Sequence, residues 1–135
     1  MGADHEVLVE RLYDAFNDRD KEEIVAVCSE EMGFYPFGTA EAVGRAAPYS
    51  GTDGLNEYMA DIALIWEELQ ISASSVERRA DTLLVHGRVY ARSRELGIRD
   101  MPAAWLWELR DGLFVRGEVF PEAEQAVARF EAIEG

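Results

Sequence analysis

Residues 105–120, WLWELRDGLFVRGEVF, decide the fold of this chain. Two stretches of alternating character flank Asp111-Gly112, a dipeptide that strongly favours a tight hairpin. The spacing predicts a strand over roughly 99–109, a turn at 111–112 and a strand over 113–120. Toward the N-terminus the same period of two covers residues 69–79 and 82–92, separated by Ala80-Asp81. Long strands joined in sequence by such short turns run antiparallel.

Upstream the period becomes helical. Leu8, Leu12, Ala15 and Phe16 form an apolar stripe over a first helix at 4–17. Asp20 followed by Glu23 resembles a capping box opening a second helix over 21–28. A short strand over 32–37 ends at Pro36 and Gly38, and a loop rich in Gly, Ala and Pro follows over 38–51. Thr52 or Asp53 caps a third helix carrying Leu55, Tyr58, Met59, Ile62, Ile65, Trp66 and Leu69 at helical spacing. After the last strand, Pro121 sits at the first turn of a closing helix, with Glu122 and Glu124 suited to its N-terminal dipole. The predicted class is α+β: helices packed on one strongly curved, mostly antiparallel sheet. A sheet curled around a long helix makes a cone whose mouth suits a small ligand.

A length of 135 residues fits one domain spanning 1–135. The chain has 27 acidic and 13 basic residues and a formal charge of −14. That field repels nucleic-acid phosphates and anionic membrane surfaces, so neither is an expected partner. No apolar run reaches the ~18 residues of a membrane span. The N-terminus lacks the basic and apolar regions of a secretory signal. Cys28 is the sole cysteine and lies in an apolar helical run, as a packed thiol in a reducing cytoplasm would. His5 and His86 belong to no metal-binding spacing. HExxH, CxxC, GxSxG, GxGxxG and phosphate-loop patterns are absent, so no metal or cofactor is expected.

Four segments carry a resemblance. LYDAFNDRD at 12–20, YSGTDGLNEY at 49–58, WELRDG at 107–112 and VRGEVF at 115–120 occur in the order found in nuclear-transport-factor-2-like proteins. The last, followed by residues 122–127, is similar to the ending of the SnoaL-like branch. The resemblance implies the cone fold. It leaves the chemistry open among steroid isomerases, polyketide cyclases, dehydratases, epoxide hydrolases and binding proteins. A ketosteroid isomerase needs a carboxylate base and a Tyr plus protonated-Asp oxyanion hole. At the matching positions this chain carries Tyr35, Leu12 and Trp105, so all three roles are missing. The Asp-Arg-Asp set of limonene-type epoxide hydrolases also has no counterpart.

Alternation divides residues 82–92 into two faces. Val85, Gly87, Val89 and Ala91 share one; His86, Arg88, Tyr90 and Arg92 share the other. From alternation alone the apolar face is the buried one. The resemblance implies the reverse, with His86, Arg88 and Tyr90 looking into the cone and the apolar face forming a convex homodimer surface. On that expectation His86, Arg88 and Tyr35 are the candidate catalytic groups. Histidine titrates near neutrality, and arginine can hold a carboxylate or an enolate oxygen. Leu12, Phe16, Tyr58, Tyr90, Trp105 and Trp107 are the candidate lining. The implied function is binding of a small, largely apolar carbonyl- or carboxylate-bearing molecule, extended by proton transfer with His86 as base. A non-catalytic dimerisation or ligand-binding scaffold is the alternative.

Overall fold

Asp111 and Gly112 turn the chain with φ of 55° and 77°, and the turn sets Arg110 opposite Leu113. Positive φ at both central positions matches the right-handed twist of the strands they join. The computed structural model describes residues 2–36, 44, 48–120 and 122–133.

Helix α1 spans Gly2–Asn17 and α2 spans Lys21–Val27. Asp20 caps α2, its side chain accepting from the Glu23 N–H at 3.2 Å. Strand β1 spans Cys28–Pro36, so Cys28 opens a strand instead of ending a helix. A two-residue strand, β2 (Tyr49–Ser50), leads directly into α3 (Gly51–Ile65). The four long strands follow: β3 (Glu68–Arg79), β4 (Thr82–Ser93), β5 (Gly97–Arg110) and β6 (Leu113–Phe120). Helix α4 (Ala123–Glu131) closes the described chain. The expectations for Phe37, for residues 38–43 and 45–47 and for Pro121 fall outside the described residues. Sequence patterning did not reveal β2, because two residues carry no periodicity.

The sheet order is β2-β1-β6-β5-β4-β3. Every pairing is antiparallel except β1 with β6, which sets Tyr35 beside Glu118. The class is α+β, with a curved, mixed and mostly antiparallel sheet. The main core lies between the sheet and α1, α2 and α3. Val9, Leu12, Tyr13, Ile62, Leu83, Val85, Trp105 and Phe114 are buried in it. A smaller cluster of Leu84, Ala104, Phe120, Ala126 and Phe130 seats α4 on the opposite face of the sheet.

This arrangement corrects the expected orientation of β4. Leu83 and Val85 are fully buried in the main core, and Val89 packs against it with Ala91. The alternating set, including Arg88, therefore faces outward. Arg88 and Asp100 form an ion pair at 2.9 Å with 56% and 52% of their side-chain surfaces exposed. A guanidinium turned inward would lose its hydration, whereas the valines gain by leaving water. The homodimer surface expected from Val85, Gly87, Val89 and Ala91 is therefore interior. The convex face carries His86, Arg88 and Tyr90, and α4 shields its most apolar end at Leu84.

Candidate functional site

The inner face of the sheet does not close completely on the helices. Between them lies a cavity of about 260 Å³. Close-packed interiors rarely leave voids much larger than a water molecule. An apolar cavity of about 150 Å³ already accepts a benzene ring, so this one has room for a larger ring system.

Aromatic side chains build the wall. Tyr13 and Phe16 come from α1, Phe34 from β1, Tyr58 from α3, and Trp105 and Trp107 from β5. Tyr13 and Phe16 are three apart on a helix and so share one face. Trp105 and Trp107 are two apart on a strand and share the inner face. The Trp107 ring stacks on Phe34 with centroids 5.5 Å apart and planes 8° from parallel. Phe16 stacks on Tyr58 at 5.9 Å, and Tyr13 tilts against Trp105 at 5.2 Å. Trp66, just past α3, also lines the space, so all three tryptophans of the chain touch it.

Gly117 makes room for the Phe34–Trp107 stack. A Cβ there would overlap the six-membered ring of Trp107 and stand 3.1 Å from the Phe34 ring. Glycine is what lets the indole lie flat against β6.

Few polar groups enter the lining. The Trp107 indole N–H donates to the Tyr13 hydroxyl at 3.2 Å, and both residues are buried. That bond leaves the phenol's own proton without an acceptor among the described residues. Burial pushes the Tyr13 pKa well above its ordinary value, partly offset by the hydrogen bond from Trp107, so the group stays a neutral donor. Cys28 also lines the cavity, and burial pushes its thiol up to about 12. A thiol so disfavoured as thiolate is a poor nucleophile. Lys21, Asn56 and Arg99 supply the exposed polar edge of the lining. Met101, 43% exposed, marks the mouth on β5. Among the described residues no carboxylate or imidazole lines the cavity, and no cluster of metal-ligating side chains occurs.

The structure brings together Leu12, Phe16, Tyr58, Trp105 and Trp107 of the residues expected from sequence. It places Tyr35, His86, Arg88 and Tyr90 away from the cavity. Tyr35 lies between Phe34 and Pro36, which both line it, and so points to the other side of β1. His86 stands opposite Ala104 on the outer face of β4. Sequence reasoning missed Tyr13, Phe34, Trp66, Lys21 and Arg99. The signal for Tyr13 was present: Val9, Leu12, Tyr13 and Phe16 follow helical spacing and define a wider stripe than Leu8, Leu12, Ala15 and Phe16.

The described residues contain no helix long and apolar enough to cross a membrane. No curated protein matches the sequence significantly. Solved structures do match in fold. One is TerC co-crystallised with polyporic acid, 18% identical, with a TM-score of 0.78 over 96% of this chain and 99% of that one. An NTF2-like protein of unknown function from Burkholderia pseudomallei is 14% identical, with a TM-score of 0.78 over 96% and 98% of the two chains. A candidate polyketide cyclase from Xanthomonas campestris is 14% identical, with a TM-score of 0.73 over 95% and 97%. Such identities establish shared architecture and leave activity open. A family model described as the SnoaL-like domain matches residues 9–117, the stretch from the first cavity-facing helix through Gly117 beneath Trp107, and the chain belongs to that family.

Proposed function

We propose that this protein binds a small, largely aromatic molecule carrying an oxygen acceptor, with the ring system against Phe16, Tyr58, Trp105 and Trp107. The observation that carries this reading is the cavity of about 260 Å³ whose wall is aromatic and among whose lining the buried Tyr13 phenol holds an uncommitted proton. Tyr13 donates that proton to a carbonyl oxygen borne on the ring system of the ligand. The bond accepted from Trp107 polarises the phenol and strengthens the donation. The co-crystal of TerC with polyporic acid supports the reading, because the two chains share this fold. Proton transfer by His86 is not part of it, since the imidazole lies across the sheet from the cavity. Pairing of two copies through the convex face would use His86, Arg88 and Tyr90.

The three cavity tryptophans make intrinsic fluorescence the direct test. Titration with 2-acetonaphthone should quench saturably and raise the melting temperature, because a ligand that prefers the folded state stabilises it. Tyr13→Phe should weaken binding of this ketone about fivefold, the order of one neutral hydrogen bond. Absence of saturable quenching and of any thermal shift across aryl ketones and aryl carboxylates would end the proposal.

A further inference from the structure

Resting on that reading, we infer that the ligand is an amphipathic carboxylate that enters rings first and leaves its charge at the mouth between Arg99 and Lys21. The charge census points there. In a chain with 27 acidic and 13 basic residues, cations should find carboxylates readily. Most described arginines do: Arg88 holds Asp100, Arg92 holds Glu67 and Arg129 holds Glu118. Arg99 and Lys21, the sole lysine, have no ion-pair partner among the described residues. Both line the aromatic cavity, and no described acid does.

The two cations belong to the same end of the cone. Arg19, two residues before Lys21, donates to the Leu69 carbonyl at 2.8 Å. Leu69 pairs with Ala91 across β3 and β4, and Ala91 pairs with Arg99 across β4 and β5. Two strand spacings, about 10 Å, separate Leu69 from Arg99, which sets Arg99 and Lys21 at the same end of the cavity that both line. Arg99 is also held on the wall, its guanidinium carbon 5.9 Å from the Trp66 ring centroid. The ring fixes the cation without neutralising it. A planar guanidinium in that position suits two-point contact with a carboxylate. The interior offers aromatic rings and the Tyr13 and Tyr58 phenols, so the ring end of the molecule goes in and the carboxylate stays at the mouth.

The test compares 2-naphthoate with its neutral methyl ester, read by tryptophan fluorescence and calorimetry at pH 7.5. The wild-type protein should bind the acid about tenfold tighter than the ester, the scale of charge-assisted bonds at a partly open site. The double variant Lys21→Gln/Arg99→Gln should lose about that factor for the acid and leave the ester unchanged. Arg116→Gln, an exposed arginine also without an ion pair but away from the cavity, should change neither. Equal wild-type affinity for acid and ester would overturn the charge assignment while leaving ring binding intact. A double variant that loses both molecules alike, or an Arg116→Gln that loses the acid equally, would also overturn it. If neither molecule binds, the cavity reading falls and this inference with it.

Discussion

Asn17 clamps Ile71 at two points. Its side-chain amide donates to the Ile71 carbonyl at 2.8 Å, and its side-chain carbonyl accepts from the Ile71 N–H at 2.9 Å. Ile71 lies on β3, the strand at one edge of the sheet. An edge strand otherwise presents unpaired backbone groups to any passing strand. Asn17, the last residue of α1, occupies one such pair, and Arg19 occupies the Leu69 carbonyl beside it. The end of the first helix is thereby stapled to the cavity end of the sheet.

Asn17→Ala removes both bonds at once. Chemical denaturation should show a loss of about 2 kcal/mol, and the melting temperature should fall by about 7 °C. Asn17→Asp should be nearly as damaging, because a carboxylate can accept from the N–H but repels the carbonyl. A loss under about 0.5 kcal/mol for the alanine variant would show that water replaces the clamp at little cost.

Gly117→Ala pushes a methyl group into the Trp107 ring. Because the Phe34 ring stands beside the same point and stacks on the indole, relief requires moving both rings. The expected cost is about 2–4 kcal/mol, as for an overpacked core. Near-UV circular dichroism should lose the tryptophan signal, and ligand quenching should weaken with it. An unchanged spectrum would mean that β6 shifts instead of the ring.

Alkaline pH should destabilise the protein in a defined window. The buried Cys28 thiol titrates near 12 in place of 9.0, and Tyr13 sits above its ordinary 10.0. Between about pH 9 and 12 the unfolded chain releases protons that the folded chain retains, so stability falls as pH rises. Below pH 9 this contribution is complete and flat. Urea midpoints taken from pH 8 to 11 should show the decline, and Cys28→Ala should make it shallower. At pH 8 a thiol reagent should label Cys28 slowly until denaturant is added. Rapid labelling of the native protein would contradict the burial.

His86→Gln and Arg88→Gln should leave ligand affinity unchanged. Both residues lie across the sheet from the cavity, and the Arg88–Asp100 pair is exposed. Stability should move by no more than about 0.5 kcal/mol, the usual range for a solvated pair. A tenfold loss of affinity in either variant would require the outer face to take part in binding.

Much of this molecule was legible before any coordinates. Period-two runs, the Asp111-Gly112 turn and the Asp20–Glu23 cap are local signals, and each formed where expected. Trp105 and Trp107 were legible as sharing one strand face, and the family resemblance was what grouped them with Phe16 and Tyr58 as an inward wall. The two-residue strand β2 and the parallel β1–β6 pairing were not, since contacts between distant segments leave no local pattern. The orientation of β4 was the decisive gap. Alternation separates Val85 and Val89 from His86 and Arg88, but it does not say which set meets the helices. Here helices cover both faces in part, α1 to α3 inside and α4 outside, so either orientation had something to pack against. Only the tertiary structure chose, and the reason is desolvation: the valines lose nothing by leaving water, whereas Arg88 keeps its hydration and Asp100 by staying in it.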